Sequence, residues 1–159
     1  MTDPVQRAID GLVAVCTGGA WALAYVWEGQ TRQLEVVDGP LLAGTDQPRV
    51  LAVGSAAQFV SGAGRGQERP GFGGRVEHQV DVSCQLEVWS GDTSMAAARA
   101  GAAETLGAFR RLLVAHPDLD GAVGWARLVG SVYRPLQTEQ GAAVQIDLVV
   151  RVAVTTFDD

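Results

Sequence analysis

The most regular stretch of the chain is an alternation of apolar and polar residues that runs from Val76 to Val88. Its even positions read Val, His, Val, Val, Cys, Leu and Val, and its odd positions read Glu, Gln, Asp, Ser, Gln and Glu. A period of two predicts a β-strand with one face on the core and one in solvent, which is typical of antiparallel sheets. A strand of this length spans roughly 43 Å at the usual rise per residue. We therefore expect it to extend beyond the compact body of the protein.

Two amphipathic helices are predicted, one before and one after this strand. The first opens the chain, where Thr2 or Asp3 can cap it and Pro4 fits the first turn. The second covers about 93–115. The apolar residues that predict the two buried faces recur at three- and four-residue steps: Val5, Ile9, Leu12, Val13 and Cys16 in the first helix, and Met95, Ala98, Ala102, Leu106, Phe109 and Leu113 in the second.

The remaining segments predict further strands. Segments 33–40 and 49–56 read as strands, and QTEQG joins two longer strands in a hairpin. The aromatic segment AWALAYVW is compatible with either a short helix or a strand. This order of elements predicts an α+β fold, mainly an antiparallel sheet of about five strands with two helices packed on one face. We expect residues 1–159 to form a single domain of this kind.

The charge balance argues against a nucleic-acid-binding protein. The chain has 12 Lys and Arg against 18 Asp and Glu, a formal net charge of −6, whereas tight binding to a phosphate backbone needs clustered cations. Apolar runs are too short to span a bilayer, and the first residues lack the positive leader of a signal peptide. We expect neither specific DNA binding nor a membrane-associated protein.

No pattern of residues predicts a catalytic, cofactor or metal site. The turn Ser90–Asp92 joins the long strand to the second helix, but it does not read G-x-S-x-G, and helix capping explains its polar residues. His78 and His116 have no partner at metal-ligand spacing. Cys16 and Cys84 occur in unrelated contexts and are expected to be two buried thiols.

Four carboxylates on the polar sides of the predicted strands are expected to share one face of the sheet: Glu77, Asp81, Glu87 and Asp147. A solvated face explains them by default, because alternation alone places them there. An assembly surface is the second interpretation. A hydrolase that uses a pair of carboxylates is the third.

The glycine-rich segment 61–75 predicts a flexible loop. It precedes a strand and lacks GK[ST], so a phosphate-binding loop is not favoured. Arg65, Arg69 and Phe72 of this loop are candidate interface residues, because arginine and aromatic side chains dominate interface energies. Trp89 is a fourth candidate, since it lies on the polar side of the long strand and is expected at an edge or in an interface.

The order of several segments resembles a known family. A strand ending in VVDGP is followed by LAVGS, the glycine-rich segment, VDVSCQLEVWSGDTSMAAARAGAAETLGAFRRLL, HPDLDG and VGSVYRPLQTEQGAAVQIDLVVRVAV. Over about residues 33–157 this order is similar to that of tail terminator, or tail completion, proteins of long-tailed phages and prophages. The strand with its WSGDT turn and alanine-rich helix, and the hairpin around QTEQGA, are the most telling segments. The ordered set carries the resemblance, and no single motif does.

The resemblance implies a structural virion protein rather than an enzyme, with no cofactor. Members of this family are small α+β domains that form rings, commonly hexamers, which cap the tail tube, end its polymerisation and join the tail to the head. The implied partners are further copies of the chain, the tail tube protein and the head–tail connector protein, with DNA only in passage and no membrane. The implied location is the tail or neck of the virion, and the bacterial host cytoplasm during assembly.

Two groups of residues acquire expected roles in such a ring. The carboxylates Glu77, Asp81, Glu87 and Asp147 would line the channel, where repulsion keeps passing DNA from sticking. The loop residues Arg65, Arg69 and Phe72 would contact the tail tube or the neighbouring subunit. The alternatives are a head–tail connector or closure protein of the same particle and a small carboxylate-dependent hydrolase.

Overall fold

The computed structural model describes residues 3–41, 47–60, 75–138 and 141–157. It contains two helices, α1 (Pro4–Gly18) and α2 (Met95–Ala115). The strands of the described chain are β1 (Tyr25–Trp27), β2 (Gln30–Arg32), β3 (Glu35–Asp38), β4 (Arg49–Phe59), β5 (Arg75–Trp89), β6 (Trp125–Thr138) and β7 (Gly141–Phe157). The predicted α+β fold class is confirmed.

Five of these strands form one sheet in the order β3-β4-β5-β7-β6. Every neighbouring pair is antiparallel except β3 and β4, which are parallel. The predicted hairpin is present, since β6 pairs with β7 from Thr138–Gly141 to Trp125–Ala153. The strands β1 and β2 form a separate antiparallel hairpin. Among the described strands the sheet is therefore open, with β3 at one edge and β6 at the other.

The predicted alternation of β5 decides which side of the sheet is buried. Its even-numbered side chains pair across the sheet with the even-numbered side chains of β7, as in Val80 with Val152 and Leu86 with Ile146. These residues share one hydrophobic cluster with Leu12 of α1 and with apolar residues of α2. Both helices therefore cover the same face, which we call the inner face of the sheet. The odd-numbered side chains point to the outer face.

The long strand is confirmed, and it extends past β4 but not past β7, with which it pairs along its whole length. β5 has 15 residues and β7 has 17, and they pair from Trp89–Ala143 to Arg75–Phe157. The described part of β4 ends opposite Val80. β6 begins opposite Ala153, which pairs with Gln79, so among the described strands only β5 and β7 continue beyond this point; there Nε2 of His78 lies 3.1 Å from the Thr156 hydroxyl.

The helix ends follow from their capping residues. The Asp3 carboxylate accepts hydrogen bonds from the backbone N–H groups of Val5 and Gln6, and α1 ends before Gly19. Ser94 is the N-cap of α2, because its hydroxyl accepts from the Ala97 N–H. The predicted buried face of α2 is confirmed from Ala98 to Leu113. Its first predicted member, Met95, is only partly buried against the core.

The ambiguous aromatic segment is neither a helix nor a long strand. Its first residues form turns, and Tyr25–Trp27 is the short strand β1. Two tertiary contacts fix this hairpin beside the start of β4 and the turn that precedes α2. The guanidinium carbon of Arg49 lies 4.5 Å from the centre of the Tyr25 ring, and the Trp27 ring lies against Gly91.

Arg49 is a buried cation that links the hairpin to α2. It is 8% exposed and bonds through Nη1 to the Glu104 carboxylate and the Thr105 hydroxyl. A buried charge needs such partners, because desolvation is costly. This burial could not be predicted from the sequence, since Arg49 stands at the first position of its strand.

Candidate assembly surface

The turn between β5 and α2 is a structural cap. The Ser90 hydroxyl donates to the backbone carbonyls of Asp92 and Ala142, and the Asp92 carboxylate accepts from the Ser94 N–H at 2.7 Å. The side chain of Ser90 therefore holds the turn against the start of β7, and the side chain of Asp92 helps to start α2. The prediction that capping explains these residues is confirmed. The N-cap itself is Ser94 rather than Ser90 or Asp92.

The four predicted outward carboxylates do lie on the outer face, but they are not equivalent. Asp81 forms a two-pronged ion pair with Arg151, with Nε–Oδ1 at 2.8 Å and Nη2–Oδ2 at 3.1 Å. The two residues face each other directly across β5 and β7. The hydrogen bond to the carboxylate also raises the pKa of Arg151. This pair adds no net charge to the face.

Asp147 is also neutralised. Its Oδ2 lies 2.8 Å from Nη2 of Arg134 on β6, and its Oδ1 accepts from Gln85. Within the described chain no ion pair is found for Glu77 or Glu87. The predicted acidic face is therefore mixed in charge, and two of its four carboxylates have no ion-pair partner among the described residues. The field that was expected to repel DNA is correspondingly weaker.

The pairing of β5 with β7 also tests the alternative that two of these carboxylates form the site of a hydrolase. Asp147 stands opposite Gln85, four residues from Asp81 on β5, so the two acids are roughly 13 Å apart along the strands. Hydrolases that use two carboxylates hold them about 5 to 9.5 Å apart. Glu87 is closer to Asp147 in the register, but Asp147 is already bound to Arg134. The arrangement is that of a salt-bridged sheet surface rather than of an acid–base pair.

Trp89 is not at an edge, which corrects one of its two predicted positions. It is the last residue of β5, the central strand of the sheet, and pairs with Ala143. Its indole nitrogen is buried without a hydrogen-bond partner among the described residues. An interface role for Trp89 stays a prediction. The other predicted interface residues, Arg65, Arg69 and Phe72, lie outside the described residues, as does the predicted loop 61–75 apart from Arg75, the first residue of β5.

The exposed apolar side chains of the described chain concentrate on β6, which sequence analysis did not single out. Residues 132–137 of this strand are all exposed. Val132 is 56% exposed, Tyr133 45% and Leu136 37%. Val129, in the register shift between Leu128 and Gly130, is also exposed. We call residues 132–137 the β6 edge segment.

A signal for this segment does exist in the sequence. VYRPLQ places apolar residues on both parities, whereas a strand with one solvated face alternates. Scattered exposed apolar side chains are normal, but a contiguous set of them marks an interaction surface. Within the described chain no strand pairs with the far side of β6, so its backbone N–H and C=O groups there are available to another strand, except at Pro135, which has no N–H.

A groove of about 650 Å³ runs beside the first half of β6. It lies between this strand and the C-terminal turns of α2, and Val114, which lines it, is 80% exposed. Arg110 and Arg127 also line it, and none of the described residues of its wall is acidic. The guanidinium of Arg127 lies 4.1 Å from the centre of the Trp125 ring. The β6 side of the sheet is therefore both apolar and basic.

The opposite edge of the sheet is acidic. β3 has four residues, EVVD, of which two are carboxylates and none is a cation. Glu35 and Val37 lie on the outer face, because Glu35 pairs with Val50 and Val50 pairs with Glu87. One carboxylate oxygen of Glu35 is buried without a hydrogen-bond partner in the described part of the chain. Asp38 is exposed.

The two cysteines lie near each other in the core, since Cys84 contributes to the raised pKa of Cys16, whereas His116 lies at the end of α2. Burial raises the pKa of Cys16 to about 12 and that of Cys84 to about 12, so both thiols stay protonated and unreactive in the folded state. His116 ends α2, and its Nδ1 lies 2.6 Å from the Asp120 carboxylate. Across the described ranges no group of three or more His, Cys, Asp or Glu is arranged to hold a metal ion. None of the described helices is long and apolar enough to cross a bilayer.

Comparison with models of known protein families finds no match, and comparison with curated proteins finds none either. Among solved structures, the chain is similar to a chain from the virion of a native gene transfer agent (GTA) particle, with a TM-score of 0.40 and 17% sequence identity. The similarity covers 98% of this chain and 100% of that chain. At this identity and TM-score, nothing about binding or activity follows from the similarity.

Proposed function

We propose that this chain is a structural protein of a phage or prophage particle, a tail terminator that forms a ring, caps the tail tube and joins the tail to the head. Two lines of reasoning support this function. The order of segments over residues 33–157 resembles that family, and the α+β fold is the one that the resemblance implies. The observation that carries the proposal is the open sheet, whose long edge strand β6 exposes apolar side chains and an unpaired backbone edge within the described chain.

An open sheet with two unlike edges suits a cyclic assembly. A ring requires a head-to-tail contact between two different surfaces of the same chain. The basic, apolar β6 side and the acidic β3 side are such a pair. A closed barrel or a sheet with two covered edges would offer neither.

The outer-face residues and the residues of segment 61–75 keep the roles that were expected of them in such a ring. In this proposal Glu77, Asp81, Glu87 and Asp147 face the channel, with the ion pairs of Asp81 and Asp147 stiffening the wall. The loop residues Arg65, Arg69 and Phe72 contact the tail tube or a neighbour, and deletion of 62–73 leaves the fold intact but abolishes tail joining.

The test is deletion of the coding sequence from the particle-producing genome, followed by electron microscopy of the particles. A terminator predicts filled heads without tails and detached tubes of variable length, because nothing ends tube polymerisation. A wild-type copy supplied in trans restores normal particles. Tails of normal length beside leaking heads would instead indicate a connector or closure protein. Unchanged, infective particles would refute any neck function.

A further inference from the structure

We infer that the β6 edge segment of one copy of this chain pairs in antiparallel fashion with β3 of a second copy, with Arg134 opposite Glu35. This inference rests on the proposed ring and names the two strands that close it. Three observations lead to it: strand direction, charge and the parity of the exposed side chains.

Strand direction is fixed by the sheet. β6 and β5 run in the same direction, since each is antiparallel to β7. β4 runs opposite to β5, and β3 is parallel to β4. β3 therefore runs opposite to β6. A second copy placed beside the first in the same orientation presents its β3 antiparallel to β6, which is the more stable pairing. The modest rotation between neighbours in a ring preserves that relation.

Charge selects β3 rather than a second β6 as the partner. β6 contains Arg127 and Arg134 and no carboxylate, and β3 contains Glu35 and Asp38 and no cation. Arg134 already pairs with Asp147 of its own chain, so in the assembly its guanidinium would lie between Asp147 and Glu35. Pairing β6 with β6 would bring like charges together, whereas pairing β6 with β3 brings opposite charges together. It would also give Glu35 a cationic neighbour for the carboxylate oxygen that lacks a hydrogen-bond partner among the described residues.

Side-chain parity then fixes the register. The outer-face residues of the β6 edge segment are Val132, Arg134 and Leu136, because Arg134 pairs with Gln145 and Val132 with Asp147. On β3 the outer-face residues are Glu35 and Val37. With Arg134 opposite Glu35, an antiparallel register puts Val132 opposite Val37 on the outer face.

On the inner face the same register puts Tyr133 opposite Val36. Tyr133 is 45% exposed in the single chain, so this contact would cover an apolar surface that is otherwise in water. A register shifted by one residue would send every side chain to the wrong face. A register shifted by two residues would lose the contact between Arg134 and Glu35.

A disulfide test follows from this register. The two edges of one sheet are four strand spacings apart, roughly 19 Å, so a bond between β3 and β6 can form only between two copies. Val37→Cys/Val132→Cys should cross-link into a ladder of multimers on mild oxidation. Val36→Cys/Val132→Cys is the matched control, because residues 36 and 132 point to opposite faces. We expect at least a tenfold faster cross-linking for the first variant, while the native thiols stay buried.

A charge-swap test uses light scattering across a range of concentrations and needs no oxidation. Arg127→Glu/Arg134→Glu should raise the concentration of half-assembly at least tenfold, and Asp38→Arg should raise it as well. An equimolar mixture of Arg127→Glu/Arg134→Glu with Glu35→Arg/Asp38→Arg should restore assembly, because each broken contact finds its complement. If a charge variant misfolds, Val132→Asp provides a second test, because it should also weaken assembly. Its folding is checked by circular dichroism.

The matched control is Arg99→Glu/Arg111→Glu, which makes the same change in net charge on exposed positions of α2 and should leave assembly unchanged. Equal cross-linking of the two cysteine variants would overturn the pairing, as would unaltered assembly of the Val132→Asp variant. The pairing would also be overturned if the wild-type protein remained monomeric at every concentration and the Val37→Cys/Val132→Cys variant formed no cross-linked multimers. The deletion experiment on whole particles is independent of these results, so failure of the pairing and failure of the terminator function are distinguishable.

Discussion

The two buried thiols give the protein an alkaline instability that can be worked out in advance. Cys16 and Cys84 have an ordinary pKa of 9.0, which burial in the core raises to about 12 in each case. The unfolded chain therefore releases these protons at a lower pH than the folded chain does. The contribution of each thiol to stability is fully present below pH 9 and is lost as the pH rises toward 12.

The size of the effect follows from linkage. At pH 10 an unfolded thiol with a pKa of 9.0 is stabilised by ionisation by about 1.4 kcal/mol, whereas the folded thiol is almost fully protonated. Raising the pH from 8 to 10 should lower the free energy of unfolding by about 3 kcal/mol for the two thiols together. The window is chemically simple, because the chain contains no lysine.

The measurement is urea unfolding at pH 8 and at pH 10, followed by tryptophan fluorescence, with a phosphine reductant and a fixed low protein concentration. The control is Cys16→Ala/Cys84→Ala, which should lose most of the pH dependence even though its absolute stability is lower. Tyr25, whose pKa burial also raises, is present in both proteins, so its contribution cancels. An equal fall of stability in both proteins would refute the reasoning, since the thiols would then not be the groups that titrate.

Two further predictions concern single contacts. Gly91→Ala should destabilise the protein by about 1–3 kcal/mol more than Gly29→Ala. The two glycines share a positive φ (79° and 77°), but only at residue 91 would a Cβ lie 2.7 Å from the Trp27 ring. Thermal melts and tryptophan fluorescence measure the difference, and equal melting temperatures of the two variants would contradict the contact. In double-mutant cycles of unfolding free energy, Asp81→Asn with Arg151→Gln should show a larger coupling energy than Asp147→Asn with Arg134→Gln. The reason is that the first ion pair has two hydrogen bonds and is less exposed. Equal coupling energies would show that geometry does not distinguish the two pairs.

Much of the fold could be predicted because its signals are local. The strand β5 and the buried face of α2 follow from periods of two and of three to four residues, and each period is set by the backbone of one element. The turn Ser90–Asp92 was also predictable, because a helix start always leaves N–H groups that nearby polar side chains can satisfy. Residues 20–27 could not be decided between a helix and a strand from the sequence, since the contacts of Tyr25 with Arg49 and of Trp27 with Gly91 that fix the short strand β1 are tertiary.

The candidate site was predictable only in part. Parity placed Asp81 and Asp147 on the outer face correctly, but it carries no information about which arginine stands across the sheet. Arg151 and Arg134 neutralise them through register, and that register is a property of paired strands. The exposure of Val132 and Tyr133 was likewise hidden, because a strand at the edge and a strand in the centre can have similar composition.

The sequence by itself thus determined which face of β5 and of α2 is buried, roughly where the helices begin and that the chain is α+β, because hydrophobic periodicity and capping act within a few residues. Only the tertiary structure decided the order β3-β4-β5-β7-β6, and with it the two open edges. Strand order depends on which distant segments pair, so the acidic edge at β3 and the basic, apolar edge at β6 arise only when the whole sheet has formed.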